Sequence, residues 1–329
     1  MQPGILTGAF ARLLATFTVL ALCATGHASA TSTEKARCFG TEQLSPPLRE
    51  KSEALLLQAL DTEHLFTIAT GLKPMSAGFF RADVSLFAPD MDATEAEAVI
   101  ATQGDANVDA LDATDRAELE TARRARTRSQ ALEEIEDVRS ILATWRCGGQ
   151  IHADLVHYAI SRGGERQVHA VVFALPSVRQ LLTDKAAFFS RWAFTPSANP
   201  LEVVSAVEYA RDATRFAGYG YLFGYPDEAV QFFATASTLQ DVTGSFVVRD
   251  FRAIPTFQRD DGQFTYAVSR GEEESTADRE LKARAAKILE AYKARRSDYI
   301  GEGKPGAAAL LRDWFCPSES RCSPADAAL

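Results

Sequence analysis

Two alternating apolar runs, Ile151 to Ile160 and Gln167 to Leu175, face each other across Gly163-Gly164. A glycine pair between such runs supplies the positive φ angles of a tight hairpin turn, so this stretch is committed to antiparallel pairing. A second hairpin is expected from Phe246 to Ile254 and Phe264 to Val268, with Asp261-Gly262 in the connection. Antiparallel hairpins at about 150–175 and 246–268 argue against a doubly wound parallel sheet. Helical periodicity dominates elsewhere. The expected class is therefore α+β, helix-rich, with the two hairpins packed against amphipathic helices.

Pro46 and Pro47 open a helix carrying Leu48, Leu55, Leu56 and Leu60, with the prolines in its first turn. Asp61 is expected to cap a second short helix ending at Gly71. A turn through Gly78 and a strand from Ala82 to Phe87 follow. Leu132, Ile135, Val138, Leu142 and Trp145 recur at helical spacing and predict a long amphipathic helix stopped by Gly148 and Gly149. Helices are also expected around 177–190, 200–216 and 227–238. Another follows Ser275 and Asp278, placed as a capping box, and a last one runs from Ala307 to Trp314.

The first 30 residues carry one charge, Arg12, then an apolar run from Leu13 to Thr25 and the ending Ala28-Ser29-Ala30. This pattern predicts a secretory signal peptide cleaved after Ala30. The run is shorter than the roughly 18 to 20 residues a membrane span needs, so no span is expected after cleavage. Residues 31–329 then read as one globular domain with an acidic, Ala-rich excursion at about 90–120, in a periplasmic or secreted protein. That excursion holds ten acids against the single base Arg116, and Arg123, Arg124, Arg126 and Arg128 follow it. A solvated arm is the simplest expectation.

Cleavage removes one Arg and no acid, leaving 34 basic against 44 acidic side chains. Such a surface repels phosphate backbones, so nucleic acid is not an expected partner. Cys23 leaves with the leader, and the remaining four cysteines, Cys38, Cys147, Cys316 and Cys322, in an exported chain predict two disulfides; three pairings are open, and the short Cys316–Cys322 spacing favours that pair with Cys38 to Cys147.

Catalytic motifs are sparse. His152-x-Asp154-x-x-His157 resembles a metal-ligand cluster in spacing alone, because strand alternation puts His152 and Asp154 on one face and His157 on the other. Counting from the Gly-Gly turn places Tyr158 opposite His169, about four residues along from Asp154, too far to share a metal. His152 and Asp154 remain weak metal candidates. The distinctive segment is Phe216 to Pro226, where Gly218, Gly220 and Gly224 interleave with Tyr219, Tyr221, Phe223 and Tyr225. Its G-x-G-x-x-x-G spacing is one residue too long for a dinucleotide fingerprint, and no cofactor is implied. Rings separated by glycines suit either a packed core or a pocket wall, and these four aromatics are the candidate binding residues. The function expected on these grounds is binding of a small ligand, or of an envelope or extracellular protein. The alternative is an extracytoplasmic hydrolase, metal-dependent through His152 and Asp154.

Overall fold

The computed structural model describes residues 38–86, 91–104 and 111–316. The leader with its Ala28-Ser29-Ala30 ending, and Cys322, lie outside them. Helix α1 (Pro46–Asp61) and the short α2 (Leu65–Ile68) precede strand β1 (Met75–Ser85). Helices α3 (Ala93–Gln103) and α4 (Ala113–Thr144) follow, then strands β2 (Arg146–Cys147), β3 (Ile151–Arg162) and β4 (Glu165–Ala174). Helices α5 (Leu175–Asp184), α6 (Ala186–Phe189), α7 (Pro200–Glu208), α8 (Asp212–Leu222) and α9 (Asp227–Thr243) form the next block. The described chain ends with strands β5 (Arg249–Ile254) and β6 (Phe264–Ser269) and helices α10 (Thr276–Tyr299) and α11 (Ala307–Phe315). The fold is α+β, with an antiparallel sheet in the order β1-β4-β3-β2 and a separate β5-β6 hairpin.

Both sequence-predicted hairpins form. Gly163 and Gly164 take φ +60° and +80°, and Gly262 takes +85°, a region open to glycine at little steric cost. Alternation sends Ala153, Leu155, Val168, Ala170 and Val172 into one core with α1, α4, α10, α11 and β6. The opposite face buries Met75, Val156, Val171 and Phe173 against α5 to α8. The four-stranded sheet is therefore covered on both sides, and each fully buried valine or phenylalanine contributes about 1.5–3 kcal/mol.

Several boundaries differ from expectation. Asp61 ends α1 instead of capping the next helix, and its carboxylate accepts bonds from Tyr292 (2.7 Å) and Arg296 (2.8 Å) of α10. The expected turn at Ser76-Ala77-Gly78 is strand: β1 starts at Met75 and absorbs Gly78 in a bulge, with φ +100°. The acidic stretch, where described, is helical. Asp92 and Asp112 cap α3 and α4, and Ala96 packs on Ala122 and Ala125. Small residues let the two helices approach closely, which the high alanine content provides. Phe246 to Val248 stay outside β5.

Cys38 and Cys147 are joined across 109 residues. Closing a loop of that size stabilises by roughly 4.7 kcal/mol in the chain-entropy account. Arg312 of α11 further pins this terminus, donating to the carbonyls of Cys38 (3.0 Å) and Phe39 (2.7 Å). Cys316 is also disulfide-bonded. No helix among the described residues is long and apolar enough to cross a membrane.

Candidate functional site

Helix α8 takes up most of the glycine-aromatic segment Phe216 to Pro226. Glycine costs a helix about 1 kcal/mol relative to alanine, and here the cost is offset by close approach. Added Cβ atoms would meet Val207 of α7 at 2.7 Å from Gly218 and Val230 of α9 at 2.8 Å from Gly220. The helix stops at Gly224 (φ +73°), where Tyr225 N–H donates to Gly220 O and Gly224 N–H to Tyr221 O, both 3.0 Å. That is a Schellman closure, and Pro226 after it blocks continuation.

The helical turn divides the four expected binding rings. Tyr219 and Phe223, four residues apart, share one side and stack at 5.6 Å. Tyr158 stacks on Tyr219 (6.4 Å), and Tyr225 bridges Phe223 (5.8 Å) to Phe264 (5.8 Å). A ladder of rings thus runs from the four-stranded sheet to the β5-β6 hairpin. Tyr221 points elsewhere, packing edge-on to Phe188 at 5.1 Å with Lys185 over its ring. All four rings are partly exposed.

At the upper end of the ladder two bulges lie side by side. Register shifts occur in β1 between Ala77 and Arg81 and in β3 between His157 and Ser161, on either side of β4. Bulges bend a strand and re-aim its side chains. In β3 the extra residues make Val156, not Tyr158, the partner of His169. The ring of Tyr158 still reaches His169, at 4.5 Å between centroids. The freed bulge backbone finds partners: Ala159 N–H donates to Glu208 (2.8 Å), and Arg166 donates to the carbonyls of Tyr158 (2.7 Å) and Ala159 (2.9 Å).

Glu208, at the end of α7, has a fully buried side chain. Its two oxygens also accept a fork from Arg215 (2.9 and 3.1 Å) and the Tyr219 hydroxyl (2.6 Å). A buried carboxylate is tolerable only when paired and saturated in this way. Burial, then Tyr158 and Glu208, push the Tyr219 hydroxyl far above the usual phenol range. Burial also raises Tyr158. His169 is lowered by burial and by Arg81, so its ring is neutral at pH 7, and its buried Nε2 has no hydrogen-bond partner. The arrangement offers a neutral imidazole nitrogen, an aromatic wall and a fixed charge network behind it. Neither Glu208 nor Arg215 was expected from sequence. The signal was an acid on the apolar face of Val203, Val204 and Val207.

His152 and Asp154 share the same sheet face, with His152 Nε2 3.5 Å from Asp154 Oδ2. The neighbouring imidazole holds Asp154 below the ordinary carboxylate range, against the opposing cost of burial. Among the described residues no three His, Cys, Asp or Glu side chains converge as metal ligands. Comparison with protein-family models, curated proteins and solved structures finds no match to this chain. The chemistry therefore rests on its own residues.

Proposed function

We propose that the protein is exported, with its leader removed after Ala30, and binds a small ligand at the bulge beside α8. The observation that carries this reading is the unpartnered, buried Nε2 of His169 beneath the Tyr158 ring. A buried polar atom without a partner costs about 1–3 kcal/mol, and a hydrogen-bonding group on a ligand would recover it. Flat apolar surface on the ligand would lie against Tyr158 and the Tyr219–Phe223 rungs. Glu208 and Arg215 hold Tyr219 in place and are themselves saturated. Tyr225 belongs to this reading as a flanking ring, whereas Tyr221, packed against Phe188 on the other side of α8, does not.

The test is a thermal-shift screen of small aromatic and heterocyclic compounds on the oxidised protein and on His169→Ala. Compounds that raise the Tm of the wild type but not of the folded variant support the site. A screen in which no compound stabilises the wild type, or in which the same hits persist in the variant, overturns it.

A further inference from the structure

Strand β5, none of whose residues belongs to the ligand site above, has a partner on one side only. Among the described residues it pairs with β6 alone, and no main-chain hydrogen bond joins Phe246 to Ile254 to any other element. A two-stranded ribbon is marginal by itself, and a strand edge presents a row of N–H and C=O groups on which a further chain can build. Phe246, Val248 and Phe251 stand 65%, 50% and 63% exposed along this edge. Large apolar side chains beside open backbone mark a docking edge.

The edge is held in shape before any partner arrives. Arg249 donates to the Gln240 side chain of α9 (3.3 Å) and to the carbonyl of Val247 (3.0 Å), and its guanidinium lies 4.6 Å from the ring centre of Phe246 and 5.3 Å from that of Phe233. Asp250 accepts from the N–H of Gly271 (2.8 Å), and Arg252 donates to the carbonyl of Glu272. These charges already have partners within the chain, so the attraction must come from backbone and apolar surface. At about 150–250 Å² for a fully buried aromatic, the two exposed rings offer roughly 250 Å² on each copy. That is about a third of the roughly 800 Å² one side of a stable interface buries, before Val248 and the strand backbone are added.

The charge pattern of the strand fits a second copy of itself. Two β5 strands related by a two-fold axis perpendicular to the sheet run antiparallel. Centred on Arg249 or Arg252, such a pairing sets two arginines face to face, and centred on Asp250 two aspartates; like charges directly opposite destabilise a ladder. Centred on Phe251, it sets the two phenylalanines side by side, Asp250 opposite Arg252 on each side of the axis, Arg249 beside the small Ala253 and Val248 beside Ile254. We infer that the protein self-associates through this edge in that register, joining the two hairpins into one antiparallel sheet in the order β6-β5-β5-β6. Main-chain bonds and rings hold the contact, and the charges select its register. The same edge serves both copies, so the assembly closes as a dimer.

Sedimentation of the oxidised full chain over a concentration series tests the assignment. A mass that doubles as concentration rises is expected. Phe251→Lys, at an exposed position whose change leaves the core intact, should weaken association by about tenfold or more, because it sets two ammonium groups at the axis. Asp250→Arg and Arg252→Asp should each weaken it, and the double variant should regain association, since exchanging the two charges restores opposite pairs across the axis. A mass that stays at one copy up to about 0.1 mM overturns the inference and leaves the edge to a foreign extended segment. Association undiminished in folded Phe251→Lys, or a folded double variant no better than its singles, also overturns it and moves the contact to another surface, such as the apolar groove walled by Leu239 and Val242.

Discussion

Gly218 of α8 lies so close to Val207 of α7 that a Cβ would come within 2.7 Å of both valine methyl groups. Gly218→Ala sets two effects against each other. Helix propensity favours alanine by about 1 kcal/mol, while overpacking costs typically 1–3 kcal/mol. The clash is with branched carbons of a buried helix, so a net loss of roughly 1 kcal/mol is expected in urea unfolding. Val207→Ala in the same chain should return part of it. A stabilised single variant would show that α7 and α8 part easily.

Lys73 offers a sharper asymmetry. Its side chain is fully buried and its Nζ sits 2.7 Å from Glu63, which keeps 21% of its side-chain surface. The ammonium lies 4.5 Å from the ring centre of Phe264 and 5.5 Å from that of Phe223, and burial lowers its pKa. Removing the acid strands a buried cation, so Glu63→Ala should cost about 3 kcal/mol. Lys73→Met fills the same ring-lined space and frees a partly solvated carboxylate, so its effect should stay within about 1 kcal/mol. Equal losses for the two variants, measured by chemical unfolding, would contradict this account.

His64 sets an acid limit on stability. Its Nε2 faces the carbonyl of Ala77 (3.1 Å), which can only accept, so in the neutral ring Nδ1 takes the Thr62 hydroxyl hydrogen (2.7 Å). Burial first, with Lys73 adding to it and Glu63 opposing, lowers this histidine to about 4. The unfolded chain binds the proton near pH 6.5. Stability from this group is therefore complete above pH 6.5 and is lost as pH falls towards 4, by roughly 3 kcal/mol in all. The difference in unfolding free energy between wild type and His64→Gln should shrink between pH 7 and pH 5. A constant difference would remove His64 as the cause.

Glu208→Gln keeps the shape of the side chain but removes the charge that Arg215 and the Ala159 amide share. A loss of about 3–5 kcal/mol is expected, as for other broken buried pairs. A double-mutant cycle with Arg215→Met should return a coupling of at least 1 kcal/mol. Additive effects would mean that the pair contributes no specific coupling.

What sequence could reveal follows from how local each signal is. Gly163-Gly164 and Asp261-Gly262 encode their turns in adjacent residues, and Ser275 with Asp278 encodes its cap three residues apart; all three form as read. Strand β1 was partly hidden because Gly78 reads as a turn, yet its bulge is stabilised by pairing with distant β4. In the segment around Tyr219 the glycines read as spacers between rings of a core or pocket wall. Their purpose appears only when Val207 and Val230 are brought against them. The Tyr158–His169 neighbourhood was legible despite the wrong register, because the β3 bulge holds two surplus residues and keeps the same side of the sheet. Glu208 and Arg215 were invisible as a pair, since a break between α7 and α8 lies between them.

Strand β2 is two residues long, and one of them, Cys147, is tied to Cys38. The other is Arg146, whose carbonyl accepts from Phe39 N–H at 2.9 Å. Two register pairs are little to hold a strand in place, so the cross-link fixes where this guanidinium stands. With that bond reduced, β2 would be held by its two register pairs and the Phe39–Arg146 hydrogen bond alone, so oxidation is what completes this edge of the sheet.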